Sequence, residues 1–522
     1  MARLQNSGSF DILVVGGGIH GATCARLAAQ LGFKTALLER ADYAGATSSR
    51  SSKMAHGGLR YLELFDFEQV FEGIKAREEM FEHIGYLVKP SEFLIPVPTG
   101  AYLFRIKLGI GLFLYDLLVK KKSRRHRWVS RSRLTYSGFH AGRHDLMGCY
   151  VYTDGLMSDA RLVIDNVIGA RRSGAVCLNY CGVTGIHQRL DGEVAVAVRD
   201  EKRGDSFSIR ARVVINCAGP WASEVSKDVG SGEYPLAFSR GSHIVFSKKW
   251  DGPSLFLPMP GKARYYFVWP HPAGTLVGTT ERHVTKLELD PLPSHDEIEE
   301  IFSRLERDIP DAGLSRSSAC YAFAGIRSLP LRGKKGDSTV LSRKHIWNYE
   351  SRILTLLGGK YTTAAWTGLE GVQRAASILN KPIEFREVQR RRDLKELPGT
   401  LRGDSASALR QMLRDRGLSE DTTEHILGRY GKRIEGYLSY IDPSPEALIR
   451  LETAIALDTE QVESLEDLMR RRLELEYTKG HGERYVEVIR EVFKKMRPDI
   501  DFESELGAYR ARIEQIERLL EG

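Results

Sequence analysis

The chain's 522 residues are enough for about three domains. Its composition, 42% apolar, 28% charged and 9% aromatic, is that of an ordinary globular protein; it excludes disorder, a collagen-like repeat and a small disulfide scaffold. A formal net charge of +8 and a pI near 9.0 point to anionic substrates, cofactors or surfaces without choosing among them.

The opening residues, MARLQNSGSF, form a polar lead without a signal-peptide pattern, so a cytoplasmic chain is expected. Asp11–Val15 (DILVV) predicts a short buried parallel strand. Gly16-Gly17-Gly18-Ile19-His20-Gly21 follows as G-x-G-x-x-G, and ATCARLAAQLG predicts a helix with small residues toward a sheet. A second strand is predicted over Lys34–Leu38, ending at Glu39. The glycines permit a tight turn and close backbone approach to a pyrophosphate, and the helix N-terminus supplies free N–H groups and a partial positive charge. Glu39 lies 18 residues beyond Gly21, where an acid accepts hydrogen bonds from a ribose and disfavours a 2′-phosphate. A dinucleotide is therefore expected, FAD or NAD. The hydroxyl-rich run Thr47-Ser48-Ser49-Arg50-Ser51-Ser52-Lys53 continues into His56-Gly57-Gly58-Leu59-Arg60-Tyr61. It selects FAD, because such a loop suits the wrapping of a flavin's pyrophosphate and ring.

The stretch Tyr102–Val119, YLFRIKLGIGLFLYDLLV, is apolar but interrupted by Arg105, Lys107 and Asp116, so it does not read as a membrane span. Eight cations follow within fourteen residues: Lys120, Lys121, Lys122, Arg124, Arg125, Arg127, Arg131 and Arg133. They equal the chain's entire net excess. Two readings stay open, an element lying on an anionic membrane surface and a core helix followed by a solvated loop. Nucleic acid is not an expected partner, because no recognised binding module accompanies the cluster.

Short alternating runs such as HIVFS, RYYFVWP and GTLVGTT predict strands over 231–320. After Pro382 the composition shifts. Residues 387–392, EVQRRR, form a charged link, Pro398-Gly399 punctuates, and charged periodic sequence beyond about residue 400 predicts helices. The six cysteines, Cys24, Cys149, Cys177, Cys181, Cys217 and Cys320, form no CxxC; they are expected to be buried and reduced, with no metal site.

The run ATSSRSSKMAHGGLRYLE (46–63) resembles the signature of FAD-dependent glycerol-3-phosphate dehydrogenases of the aerobic, quinone-linked type. YTDGLMSDARLV (152–163), VVINCAGPW (213–221), RGSHIV (240–245), Gly278-Thr-Thr280, FAGIR (323–327) and GGKYTT (358–363) fall in that family's order. The set covers roughly residues 10 to 375 and fades beyond. The resemblance implies a fold that is α/β and α+β. A Rossmann-like FAD-binding domain would be assembled from 1–95, 150–230 and 321–385. An inserted antiparallel-sheet substrate-binding and membrane-facing domain would take 96–149 and 231–320, and a C-terminal helical domain 386–522.

The same resemblance implies oxidation of sn-glycerol 3-phosphate to dihydroxyacetone phosphate, with hydride transfer to FAD and electrons passed to a membrane quinone. Such a site needs cations for the phosphate and a base for the hydroxyl proton. Arg60, Arg327 and Lys360 are expected around the substrate, with Arg343 as a fourth cation and Tyr61 lining the site. His243 is the expected base, since histidine ordinarily titrates near 6.5; His56 is the alternative, nearer the cofactor. His243, Arg327 and Lys360 thus form the expected catalytic set. FAD is expected to rest on Gly16, Gly18, Gly21 and Glu39. From the flavin loop come Thr47, Ser48, Ser49, Ser52, Lys53, His56, Gly57 and Leu59. Val183, the return turn Ala218, Gly219 and Trp221, and Gly359, Lys360 and Thr362 at the ring complete the set. FAGIRSLP and KYTTAAW depart from the family's usual continuation and are expected to retune the pocket. The alternatives are a glycerol-3-phosphate oxidase using oxygen, a related flavin oxidase acting on another small substrate, and an inactive flavin-bearing regulatory protein. The expected location is peripheral, on the inner face of the cytoplasmic membrane, and a homodimer is compatible with it.

Overall fold

The computed structural model describes residues 8–59, 66–117, 119, 121–134, 146–227, 234–259, 265–332, 340–341, 344–384, 388 and 391–521. Two sheets and a helical C-terminal region account for most of them.

The first sheet runs in the order Ile346–Glu350, Ile353–Leu357, Ser206–Asn216, Phe10–Val15, Thr35–Leu38, Val176–Leu178. Cys181–Gln188 and Val194–Asp200 join it as a hairpin beside Ser206–Asn216. Its centre is parallel: Val14 stands beside Ile215 on one side and Leu37 on the other. Parallel strands covered on both faces carry continuous apolar runs, and DILVV shows why. Ile12 and Val14 face a core containing the helices Ile19–Gln30, Asp159–Arg172 and Ala364–Ile378. Leu13 and Val15 face a second core closed by the hairpin.

The second sheet runs Val340–Leu341, Ala319–Arg332, Leu236–Phe246, Gly274–Gly278, Tyr265–His271, Ser254–Pro258, Val88–Pro98, Leu146–Met157, Met54–Ala55. It is mostly antiparallel; Ser254–Pro258 runs parallel to Val88–Pro98. Strands from within the ranges expected for the FAD-binding domain, 1–95, 150–230 and 321–385, also contribute to this sheet. Met54–Ala55, Val88–Pro98, Leu146–Met157 and Ala319–Arg332 all pair within the second sheet. One ladder running from Val88↔Met157 to Pro98↔Leu146 keeps two of them together. The partner of a strand is set by such long-range hydrogen bonding, which local periodicity does not encode.

The elements described beyond residue 391 are helical, among them Ser405–Arg414, Glu420–Tyr430, Pro445–Thr459, Val486–Met496 and Phe502–Glu521. Ser444 caps one of these, accepting from Ala447 N, with Pro445 in the first turn where a missing N–H costs nothing. Ile489, Phe493 and Ile516 from these helices share a core with Tyr321 and Phe323 of the second sheet. Buried ion pairs tie the region to the turn after Thr35–Leu38 and to the helix Asp159–Arg172. Asp42 accepts from Arg471 Nε (2.6 Å) and Arg472 Nη1 (2.8 Å), and Glu460 takes Arg161 in a two-pronged contact at 2.7 Å. All six cysteines are free and buried.

The helix Tyr102–Asp116 buries Leu112, Tyr115 and Asp116. Leu103, Ile106, Ile110 and Phe113 are 66%, 59%, 59% and 58% exposed. A core helix would bury that face, so the core-helix reading does not hold. Among the described residues no helix is long and apolar enough to cross a membrane.

Candidate active site

The glycine loop closes on its surroundings at backbone distance. Gly16 sits at φ +101, and a Cβ there would lie 2.6 Å from Cys217 O; one on Gly21 would lie 1.9 Å from Gly16 O. Loop, helix and return turn approach this closely only because both residues are glycine. The helix Ile19–Gln30 starts here with no acid in its first turn, and Ser48 Oγ accepts from Ile19 N at 3.0 Å. Glu39 ends the strand Thr35–Leu38 and accepts from Gly17 N (2.6 Å) and Ala41 N (2.9 Å). Burial raises its pKa, and these two N–H groups act against the rise.

The loop opens into a cleft of about 430 Å³. Gly16, Gly18, Glu39, Thr47, Ser48, Ser52, His56, Leu59, Val183, Ala218, Gly219, Trp221, Arg327, Gly359 and Lys360 all line it, so most of the expected set converges. Thr47 Oγ1 donates to Ile326 O at 2.8 Å, tying the hydroxyl-rich loop to the strand that carries Arg327. The Arg40 guanidinium lies 4.3 Å over the Trp221 ring. Arg327 Nη2 donates to Thr279 Oγ1 (3.2 Å) and Lys360 Nζ to Gln69 O (3.4 Å). One wall is aromatic: Phe256 stacks on Tyr265 at 4.1 Å and meets Phe267 and Tyr152 edge-on.

Other expected residues stand elsewhere. Gly21, Ser49, Lys53, Gly57, Thr362 and His243 do not line the cleft. Gly21 packs beneath the loop, and Ser49 and Thr362 are buried. Lys53 Nζ is buried against Asp159 Oδ1 at 2.7 Å; a lone ammonium here would be costly, and the carboxylate compensates it. Gly57 N donates to Asp154 Oδ1 at 2.9 Å. Arg60, Tyr61 and Arg343 lie outside the described residues.

His243, expected as the base, stands behind the residues that line the cleft. It is 1% exposed. Its strand lies inside the second sheet between Gly274–Gly278 and Ala319–Arg332, and the imidazole stacks on Phe323 at 4.9 Å with Trp269 edge-on. Nε2 lies 3.0 Å from Ser52 Oγ, and Nδ1 is buried without a hydrogen-bond partner. Burial, then the Arg327 and Lys53 charges, push its pKa well below 6.5. It stands behind Ser52 rather than on the cleft, whereas His56 is on the cleft.

Reading the residues alone missed Arg40, Thr279, Tyr265, Phe256 and Asp154, all at the cleft. Two signals were present. Thr279 lies in the run Gly278-Thr-Thr280 and Asp154 in the YTD of 152–154.

The donor set fits FAD. The glycine cradle and helix N-terminus suit a pyrophosphate, Glu39 a ribose, and the glycine turn beside Lys360 the ring. Residues 11–368 match the FAD dependent oxidoreductase family. The glycerol-3-phosphate dehydrogenase of Synechocystis is 31% identical over 501 residues, spanning 90% of this chain and 89% of that protein. Glycerol-3-phosphate dehydrogenase 2 of Mycobacterium bovis is 30% identical over 532 residues, spanning 97% and 88%. The structure of a glycerol-3-phosphate dehydrogenase from Bacillus halodurans, solved with FAD, superposes with a TM-score of 0.77 at 20% identity, covering 99% of this chain and 96% of that one. An L-α-glycerophosphate oxidase from Mycoplasma pneumoniae, also with FAD bound, gives 0.56 at 16% identity over 71% and 95%. These two show the fold alone. The chain belongs to the FAD dependent oxidoreductases, in the family of the glycerol-3-phosphate dehydrogenases.

Proposed function

We propose that the protein oxidises sn-glycerol 3-phosphate to dihydroxyacetone phosphate and passes the electrons to a membrane quinone from the inner face of the cytoplasmic membrane. The observation that carries the reading is one cleft lined both by the glycine loop that suits FAD and by Arg327, Lys360 and His56.

Arg327 and Lys360 offset the phosphate's charge, and the planar guanidinium grips two of its oxygens. Thr279 orients Arg327, and Gln69 O orients Lys360. FAD, when bound, supplies the acceptor for the hydride leaving C2. His56 takes the C2 hydroxyl proton; unlike His243 it reaches the cleft. Gly16, Gly18, Glu39, Thr47, Ser48, Val183, Ala218 and Gly219 would hold the cofactor, with Arg40 and Trp221 covering the adenosine end. The aromatic wall of Tyr152, Phe256, Tyr265 and Phe267 shields the reacting carbon from water.

The exposed apolar helix and the basic segment behind it support the membrane and the quinone. The test is anaerobic. Glycerol 3-phosphate added to flavin-replete protein is expected to bleach the flavin band, and a soluble quinone to restore it faster than oxygen does. Faster recovery with oxygen would make the protein an oxidase. No bleaching would remove this substrate.

A further inference from the structure

One stripe of the helix Phe67–His83 touches two residues of the cleft, Lys360 and Asp154, and Gly57 beside His56. Gln69, Gly73 and Arg77 are spaced four apart and share a face. Gln69 O accepts from Lys360 Nζ. A Cβ on Gly73 would come within 2.8 Å of Gly57 O. Arg77, fully buried, donates from Nη1 to Asp154 Oδ1 at 2.7 Å.

The same Oδ1 takes two more donors. Tyr115 OH, from the buried face of the apolar helix, donates at 2.8 Å, and Gly57 N at 2.9 Å. Arg77 also donates to Tyr115 OH at 2.6 Å and to Thr153 O at 2.7 Å. A buried Arg–Asp pair is by itself weak evidence of a role. Here, however, the acceptor oxygen is shared with the backbone N–H of the residue after His56, and Asp154 itself lines the cleft.

We propose that Asp154 is a positioning residue for the reaction: clasped by Arg77 and Tyr115, it holds the Gly57 N–H and thereby sets the His56 side chain in register with Lys360. The inference rests on the reading of His56 as the base and glycerol 3-phosphate as the substrate. It assigns a part to the YTD run, and it makes the helix Phe67–His83 the common ruler for the base loop and the cationic end.

The test uses FAD-loaded Tyr115→Phe, Asp154→Asn and, as control, Tyr150→Phe, whose hydroxyl donates instead to Arg105 O at 3.2 Å. Anaerobic bleaching is followed over a range of glycerol 3-phosphate. Amide hydrogen exchange of residues 54–59 is followed in the same preparations. Tyr115→Phe is expected to keep its FAD and its half-saturating concentration, to lose about tenfold in limiting rate per bound flavin, and to exchange faster over 54–59. Asp154→Asn is expected to lose more, and Tyr150→Phe nothing. An unchanged limiting rate and unchanged exchange in Tyr115→Phe would overturn the proposal, as would losses confined to FAD content or Tm. If Asp154→Asn does not fold, the isosteric Tyr115→Phe decides alone. If the wild type is not bleached, the substrate reading has failed, and exchange over 54–59 decides the positioning of the loop.

Discussion

Ser52 Oγ lies 3.0 Å from His243 Nε2, and of the pair only Ser52 lines the cleft. The histidine is stacked on Phe323, and burial pushes its pKa well below 6.5. His243→Gln is expected to keep FAD and to stay within about tenfold of the wild-type bleaching rate. His56→Gln is expected to lose about 10²- to 10⁴-fold, the range for a positioned base. The reverse ranking in anaerobic stopped-flow traces would return the base to His243.

The burial of His243 also sets a pH dependence of stability. In the unfolded chain the ring takes a proton near 6.5; in the folded chain its pKa is well below that, through burial and then Arg327 and Lys53. The unfolded state therefore binds more protons below pH 6.5. Stability from this group is fully present above 6.5 and falls as the pH drops, by up to about 1.4 kcal/mol per pH unit. Urea midpoints at pH 7.5, 6.5 and 5.5 are expected to fall less steeply in His243→Gln than in the wild type. Parallel curves would mean that His243 takes up its proton in the folded protein.

The start of the chain was legible because its signals are local. An apolar run, a spaced glycine set, a small-residue helix and Glu39 lie within 29 consecutive residues, Asp11 to Glu39. The flavin loop was legible as a unit, yet its side chains divide: Ser48 and Ser52 face the cleft, while Lys53, at φ +50, turns away to Asp159. No spacing rule separates neighbours in an irregular segment. The surroundings of His243 were not legible for another reason. Phe323 and Trp269, which enclose it, come from other strands, and register across a sheet is not written in RGSHIV. The aromatic wall failed likewise, because Phe256, Tyr265 and Tyr152 meet only through sheet pairing.

Gly241 offers a test of Arg327 that spares its charge. A Cβ there would lie 2.6 Å from Thr279 Oγ1 and 2.7 Å from Arg327 Nη2. Both are side-chain tips, so Gly241→Ala swings the guanidinium off Thr279 without disturbing the sheet. KM for glycerol 3-phosphate is expected to rise about tenfold with FAD content unchanged, and Arg327→Ala to raise it further, by about 10²-fold. Unchanged KM in both variants would remove Arg327 from the phosphate.

Asp42 tests how the C-terminal region holds the nucleotide end. It is 1% exposed. Burial alone would raise its pKa, but Arg472 and Arg471 hold it below the usual carboxylate value. Asp42→Ala leaves two buried guanidiniums short of a partner, three residues from Glu39. The expected loss is about 3–5 kcal/mol in urea unfolding, with flavin released at lower urea than in the wild type. A small loss of stability with FAD fully retained would show that Glu39 is held without the clasp.

The exposed face of Tyr102–Asp116 separates a membrane-bound enzyme from a freely soluble one. Ile106, Ile110 and Phe113 follow helical spacing and are each more than half exposed. An apolar stripe of this kind in water marks a surface that meets something apolar. Lys121, Lys122, Arg125 and Arg133 stand exposed just beyond it, and on the proposed reading they meet lipid phosphates. Glutamate at positions 106, 110 and 113 is expected to leave FAD content and dye-coupled turnover intact, because the helix touches the cleft network through Tyr115 on its other face. It is also expected to move the protein from the pelleted membrane fraction to the supernatant and to slow reduction of membrane-embedded quinone. Replacing the four cations with glutamine is expected to do the same more weakly, with the remaining attachment insensitive to salt, since the electrostatic part will have gone. If the glutamate variant sediments as the wild type does, the stripe meets protein rather than lipid, and the acceptor must then reach the flavin from solution.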